Sequence, residues 1–358
     1  MRLRFPTGDA GRVSTIATAV ALLAVALIVI RPLSVAAEED VAQPGDPAKS
    51  AVTDGHWASV ESIARASGIA DADAIAAIRH LAVAGGLASP NEATTARARP
   101  APESSLLARK RVVSYYGNPW SAQMGILGEL DPATLVARLK GVAAEYERAG
   151  GREVIPAIEL IAVVAQAGPG ADGTYRLRMP PEMIAEYSKL AADNGMLLIL
   201  DVQVGHSTVG SEIEYVRPFL REPHVHLALD PEFDMWGAQK PGVELGHSTA
   251  AEVNYAQRVL AEIAASTGGQ NKLLIVHQFR PSMLPDKSEI VDEPRVDLAV
   301  VMDGFGGRAA KAGGYRQFVG EDRPEFGGMK LFYRHDVELW SPAEVLALDP
   351  SPDVLIYQ

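Results

Sequence analysis

The chain has 358 residues, with 33 lysines and arginines against 45 acidic residues, a net charge of −12, and no cysteine. Without thiols there are no disulfides, thiolate metal sites or cysteine nucleophile, and an acidic balance lacking any basic block excludes a nucleic-acid partner, which needs clustered positive charge. Apolar residues make up 47% and charged residues 22%, a globular composition that rules out collagen, coiled coil and wholesale disorder.

Arg2, Arg4 and Arg12 precede an apolar run from Val13 to Ile30, which Arg31 ends. At about 18 residues, the run lies between a signal-peptide core and the roughly 20 residues that span a bilayer. Val35-Ala36-Ala37 offers the small residues that a signal peptidase accepts, whereas Arg31 and the length of the run suit an uncleaved anchor. Residues 1–37 are therefore read as a signal peptide or a membrane anchor, with everything beyond them extracytoplasmic, either secreted or tethered to the cell membrane. Residues 38–54 are acidic and rich in alanine and proline, the composition of a linker. Residues 55–88 form a small helical unit: stretches at His56 to Ala66 and Asp71 to Ala84 are split by Gly68 and closed by Gly85-Gly86. A second, proline-bearing linker covers 89–105, and the main domain runs from 106 to 358.

In that domain eight apolar runs of strand length recur: Val112 to Tyr116, Ile155 to Ala165, Leu197 to Val204, Val225 to Phe233, Leu273 to Phe279, Leu298 to Met302, Lys330 to Tyr333 and Val354 to Gln358. Several are almost continuous in Val, Ile and Leu, as parallel strands covered on both faces require. Segments of helical period lie between them, with Asp131-Pro132, Pro180-Pro181, Thr249 and Ser341-Pro342 as starts and Gly150-Gly151, Gly195 and Gly268-Gly269 as stops. Eight alternations in about 250 residues predict an α/β fold, a (β/α)₈ TIM-type barrel. An open doubly wound sheet would carry a Gly-rich phosphate turn after its first strand, and Ser114-Tyr115-Tyr116-Gly117-Asn118-Pro119 is not one. Arg280 to Arg295 and Gly304 to Gly328 lack regular pattern and are expected to be long loops or short irregular helices.

Barrel enzymes take their catalytic groups from the C-terminal ends of strands, and those ends are polar here. They hold Tyr116 and Asn118 on strand one, Glu159 within strand two, Asp201 and Gln203 on strand three, and Asp230, Glu232 and Asp234 on strand four. His277 and Gln278 follow on strand five, Asp303 on strand six, Asp336 on strand seven and Tyr357 on strand eight. Residues two apart on a strand share a face, so Asp230 and Glu232 are expected to look together into the barrel mouth. Two such carboxyls cannot both ionise freely, and the one that keeps its proton can serve as a general acid. Trp236, with Trp120 and Phe305, falls just beyond strand ends, where rings can stack on the C–H faces of sugars. Asp201, His277 and Asp303, with Asp230, also offer oxygen and imidazole donors to a divalent metal.

Asp230-Pro231-Glu232 at the end of strand four resembles the acid-x-acid motif of chitinase-type and of one lysozyme-type family of glycoside hydrolases. Met302-Asp303-Gly304 is loosely similar to the Met-x-Tyr-Asp segment of chitinases. The resemblance implies that Glu232 is the acid and that Asp230 orients an N-acetyl group of the substrate. The chain departs from the chitinase pattern where Leu227-Ala228-Leu229 replaces the preceding aspartates and where Pro231 intervenes. The whole barrel also resembles uncharacterised exported bacterial proteins with Leu-Asp-x-Gln, Leu-Asp-Pro-Glu-Phe and His-Gln-Phe strand ends, a likeness that implies no activity.

These features predict an exported glycoside hydrolase acting on a polysaccharide or oligosaccharide. Asp230, Glu232 and Asp336 are its expected catalytic groups, with Asp336 as nucleophile or base. Tyr116, Asn118, Glu159, Asp201, Gln203, Asp234, Trp236, His277, Gln278, Asp303 and Tyr357 are its expected substrate contacts. This reading assigns no cofactor and no resident metal, and adds a membrane partner if the N-terminal segment stays uncleaved. Two alternatives stay open: a non-catalytic glycan-binding surface barrel, and a metal-dependent ester or amide hydrolase.

Overall fold

The computed structural model describes residues 103–321 and 325–358. The expected export segment, the first linker, the small helical unit and most of the second linker lie outside these residues. Among the described residues no helix is long and apolar enough to cross a membrane.

Among the described residues nine strands form one sheet: β1 (Arg111–Gly117), β2 (Val154–Ala165), β3 (Arg176–Arg178), β4 (Leu197–Val202), β5 (Val225–Leu229), β6 (Lys272–Gln278), β7 (Val296–Met302), β8 (Phe326–Leu331) and β9 (Val354–Tyr357). Eight of them run parallel in the order β1-β2-β4-β5-β6-β7-β8-β9, and β9 pairs with β1 to close the ring. The fold is the (β/α)₈ barrel that the alternation predicts. β3 lies outside the ring as a short antiparallel partner to the end of β2.

The outer layer comprises α1 (Pro132–Gly150), α2 (Pro181–Asp193), α3 (Val209–Leu220), α4 (Ala250–Thr267), α5 (Arg308–Tyr315) and α6 (Pro342–Leu346). Their ends follow the local chemistry. Asp131 accepts from the amides of Ala133 and Thr134, while Thr249 and Ser341 each form a reciprocal box with a glutamate three residues on. Gly151 and Gly268 end α1 and α4 in the left-handed conformation. After β6 the chain makes two 3-10 turns, Pro281–Met283 and Lys287–Glu289, in the stretch expected to be irregular.

The strand boundaries differ from the sequence reading in two places that matter. β5 stops at Leu229, and Pro231–Phe233 is a 3-10 turn, because Pro231 cannot continue the ladder. Asp230 and Glu232 are thus positioned by a turn and not by strand alternation. β8 begins at Phe326, four residues before the apolar run that signalled it, and includes Gly327-Gly328, which read as loop. Both glycines mark close approach. A Cβ on Gly328 would lie 2.6 Å from Val301 Cγ2 and 2.8 Å from the Val354 carbonyl oxygen, and one on Gly327 would lie 2.1 Å from Val319 Cγ1. Gly328→Ala is therefore expected to cost about 1–3 kcal/mol by overpacking, read as a lower urea midpoint at unchanged slope.

Strand register decides which side chains enter the barrel. Tyr116 lies beside Glu159 across β1 and β2, Ile161 beside Asp201 across β2 and β4, and His277 beside Val301 across β6 and β7. Alternate residues on each strand share the interior, and their neighbours pack against the helices. At the opposite end the entering chain is tied down by Asp297, which accepts from Ser105 Oγ at 3.1 Å, the Leu107 amide at 2.8 Å and Asn271 Nδ2 at 2.8 Å. Beside β3, fully buried Glu212 accepts from Arg176 Nε at 3.0 Å and Arg178 Nε at 2.7 Å, clamping the β2–β3 hairpin to α3. Those hydrogen bonds outweigh burial and hold the Glu212 carboxyl below its usual range.

Candidate functional site

The polar side chains that enter the barrel gather at the C-terminal ends of the strands. His277, completely buried on β6, is the hub. Its Nε2 lies 3.2 Å from Glu159 Oε1 and 3.2 Å from Asp201 Oδ2, and its Nδ1 lies 3.2 Å from Asp303 Oδ2. Lys330, buried on β8, lies 3.2 Å from each Asp303 oxygen and 3.7 Å above the centre of the Tyr116 ring. Ser114 on β1 donates to Glu159 Oε2 at 2.6 Å. Gln203 donates to the Tyr116 hydroxyl at 3.2 Å and toward Asp230 at 3.5 Å, while its own carbonyl accepts from the Ala165 amide at 3.0 Å. Residues on five strands, with Gln203, Asp230 and Asp303 just beyond the ends of β4, β5 and β7, thus meet in one place.

The charges follow from this crowding. Burial, and then the neighbouring Asp201, push the Asp230 carboxyl up to about 7. Burial followed by Asp230 drives Glu232 well above the usual carboxylate range, and Glu232 remains partly exposed while Asp230 does not. Burial raises Asp201 too, although His277 opposes it. Asp303 moves the other way: burial disfavours its charge, but Lys330 and then His277 outweigh burial and hold it ionised. Burial lowers the His277 imidazole, but the surrounding acids, Asp303 foremost, outweigh burial and hold it above its ordinary value. Adjacent acids therefore separate into proton holders and a fixed anion.

Other expected site residues lie elsewhere. Asp336 does not join the cluster. One oxygen faces Lys311 Nζ at 3.0 Å and accepts from the Gly306 amide at 3.1 Å, and the other accepts from the Phe332 amide at 2.9 Å, so the carboxylate ties two loops together. Tyr357 faces the helical layer, where its hydroxyl meets that of Tyr146 on α1 at 2.9 Å and its ring stacks on Tyr333. Gln278 neighbours His277 in sequence and therefore takes the opposite face; it accepts from Lys287 Nζ at 2.9 Å. Asn118 is buried at the top of β1 and spends its amide on the Ile161 carbonyl at 3.0 Å and the Trp120 amide at 2.9 Å. Asp234 accepts from Ser248 at 2.8 Å, and burial followed by Glu252 pushes it up to about 8. Trp236 is 45% exposed and lies flat on His247, and Trp120 is 49% exposed, so both present open ring surface.

Two members of the cluster were not singled out from sequence. Lys330 stands between Met329 and Leu331 inside an apolar run, and a buried lysine needs a partner; that signal was present, but with the strand start misplaced its facing could not be assigned. Ser114 is one small hydroxyl in Val-Val-Ser-Tyr-Tyr and carries no comparable signal.

No family model and no curated protein matches the sequence. Among solved structures, the chain is similar to one described as "Crystal Structure of Hyperthermophilic Endo-beta-1,4-glucanase in complex with substrate". The likeness has 9% identity and a TM-score of 0.35, covering 72% of this chain and 91% of that one.

Proposed function

We propose that the protein is an exported glycoside hydrolase that cleaves a polysaccharide by general acid catalysis from Glu232. The observation that carries this reading is the Asp230-Pro231-Glu232 turn, whose two acids are both held toward protonation beside an ionised Asp303. Glycosidic cleavage needs a proton on the leaving oxygen and negative charge near the oxocarbenium-like carbon. Glu232, the partly exposed acid of the pair, supplies the first. Asp303, fixed by Lys330, supplies the second, and Asp230 with Gln203 and Tyr116 orients the sugar. The open faces of Trp236 and Trp120 suit stacking of further units. Export rests on Arg2, Arg4 and Arg12 before the Val13 to Ile30 run.

The test is release of new reducing ends from β-1,4-glucan, chitin, peptidoglycan and plant glycans, followed across pH. Activity is expected to fall on the alkaline side as Glu232 loses its proton. Removing the like charge next to it in Asp230→Asn should move that limb to lower pH, because Asp230 is the largest charge raising Glu232. Turnover with an alkaline limb identical in both proteins would take the proton away from Glu232. Glycan binding without any cleavage would favour a non-catalytic surface barrel instead.

A further inference from the structure

We infer that Glu159, Asp201 and His277 form a site for one divalent transition-metal ion at the floor of the barrel mouth. This goes beyond the glycoside hydrolase reading and stands independently of it. One donor atom from each of the three residues lies within 4.8 Å of the other two. Two of the separations are 3.2 Å, from His277 Nε2 to Glu159 Oε1 and to Asp201 Oδ2. Donors bound to a single ion at about 2.1 Å stand about 3.0 Å apart at right angles and about 3.4 Å apart in a tetrahedron, which brackets that spacing.

The polar atoms here are otherwise unspent. Asp201 is fully buried, yet among the described residues neither of its oxygens has a hydrogen bond, nor does Glu159 Oε1 or either nitrogen of His277. The contacts to His277 are close but lack hydrogen-bond alignment; at Nε2 a single N–H would have to aim at two carboxylates at once. A buried carboxylate with no hydrogen bond is costly, and metal coordination is one of the few ways to satisfy it.

The surroundings are those of a supported metal centre. Asp303 Oδ2 sits 3.2 Å from His277 Nδ1, the nitrogen facing away from the other two donors, where a turn of the ring would let it accept the Nδ1–H behind a metal-bound imidazole. Ser114 holds the far oxygen of Glu159 at 2.6 Å and so fixes which oxygen turns inward. One imidazole with two carboxylates suits zinc or manganese, whereas calcium and magnesium take oxygen donors.

The full-length chain, purified without a polyhistidine tag and stripped with EDTA, would be titrated calorimetrically with Zn²⁺, Mn²⁺ and Ca²⁺. One zinc or manganese ion per chain is expected, with calcium at least about 100-fold weaker and a rise in unfolding temperature that saturates with the transition metal. Asp201→Asn should abolish binding, and Ser114→Ala, which removes only the support of Glu159, should weaken it about 10- to 100-fold. If Asp201→Asn fails to fold, wild type and Ser114→Ala decide the matter. A natively folded wild type that takes up no transition metal would overturn the site, as would equal affinity in Ser114→Ala or a preference for calcium. None of these readouts depends on any glycan being cleaved.

Discussion

Glu232→Gln is expected to lower turnover of a polysaccharide about 10²- to 10⁴-fold, the usual contribution of a positioned general acid, with its circular dichroism and unfolding midpoint close to wild type. The amide matches the carboxyl in shape but has no proton to give. Folding should not suffer, because among the described residues Glu232 makes no salt bridge and its neighbours Asp230 and Asp303 disfavour its charge. The loss should also depend on the leaving group. An aryl glycoside with an acidic phenol departs with little protonation, so the variant should approach wild-type rates on such a substrate while remaining slow on the polymer. An equal loss on both substrates would mean that Glu232 positions the sugar, and no loss on either would remove it from the chemistry. Asp336→Asn supplies the contrast: with both oxygens engaged by Lys311 and by loop amides, its substitution should act on stability and not on the leaving-group dependence.

The barrel was legible because parallel strands covered on both faces must be apolar almost without interruption. Runs such as Leu197-Leu198-Ile199-Leu200 and Leu273-Leu274-Ile275-Val276 could hardly be anything else. What failed was information that no periodicity carries. Gly327-Gly328 has the composition of a loop, and only the crowding from Val301, Val319 and Val354 explains its place in a strand. The Arg176–Arg178 strand is too short and too charged to stand out; the buried carboxylate of Glu212, from a later helix, makes it stable. For the site, strand-end position correctly grouped Asp201, Asp230, His277 and Asp303. It could not separate inward from outward neighbours where the strand end itself was uncertain. Tyr357 and Gln278 sit at such ends, one step out of phase with the interior, and a single step reverses the face. Asp336 shows a further limit, because its role is set by backbone amides of Gly306 and Phe332, and sequence does not reveal where loop amides point.

Lys330→Met is expected to destabilise the chelator-treated protein by about 3–5 kcal/mol at neutral pH, the cost of leaving a buried charge without its partner. The lysine lies 3.2 Å from both oxygens of Asp303, and its ammonium also rests on the Tyr116 ring, so methionine would keep the apolar stem and lose both interactions. The deficit should vary with pH in a definite direction. In wild type, Asp303 is held below its ordinary value by Lys330 and His277. Its stabilising contribution is therefore present above the unfolded carboxylate range of about 3.9 and disappears as pH falls through the still lower folded value. Without Lys330 only His277 is left to oppose burial, so Asp303 is expected to move up, its charge to cost stability at neutral pH, and protonation to relieve that cost as pH drops. The gap between the two proteins should therefore be widest near pH 7 and narrow on acidification, measured by urea unfolding at several pH values. Neutralising the acid as well, in Lys330→Met with Asp303→Asn, should be less damaging than the sum of the single changes, by a coupling of at least about 1 kcal/mol. Additive effects, or a gap that widens in acid, would show that Lys330 serves chiefly as packing and that the carboxylates at the barrel mouth are neutralised by something else.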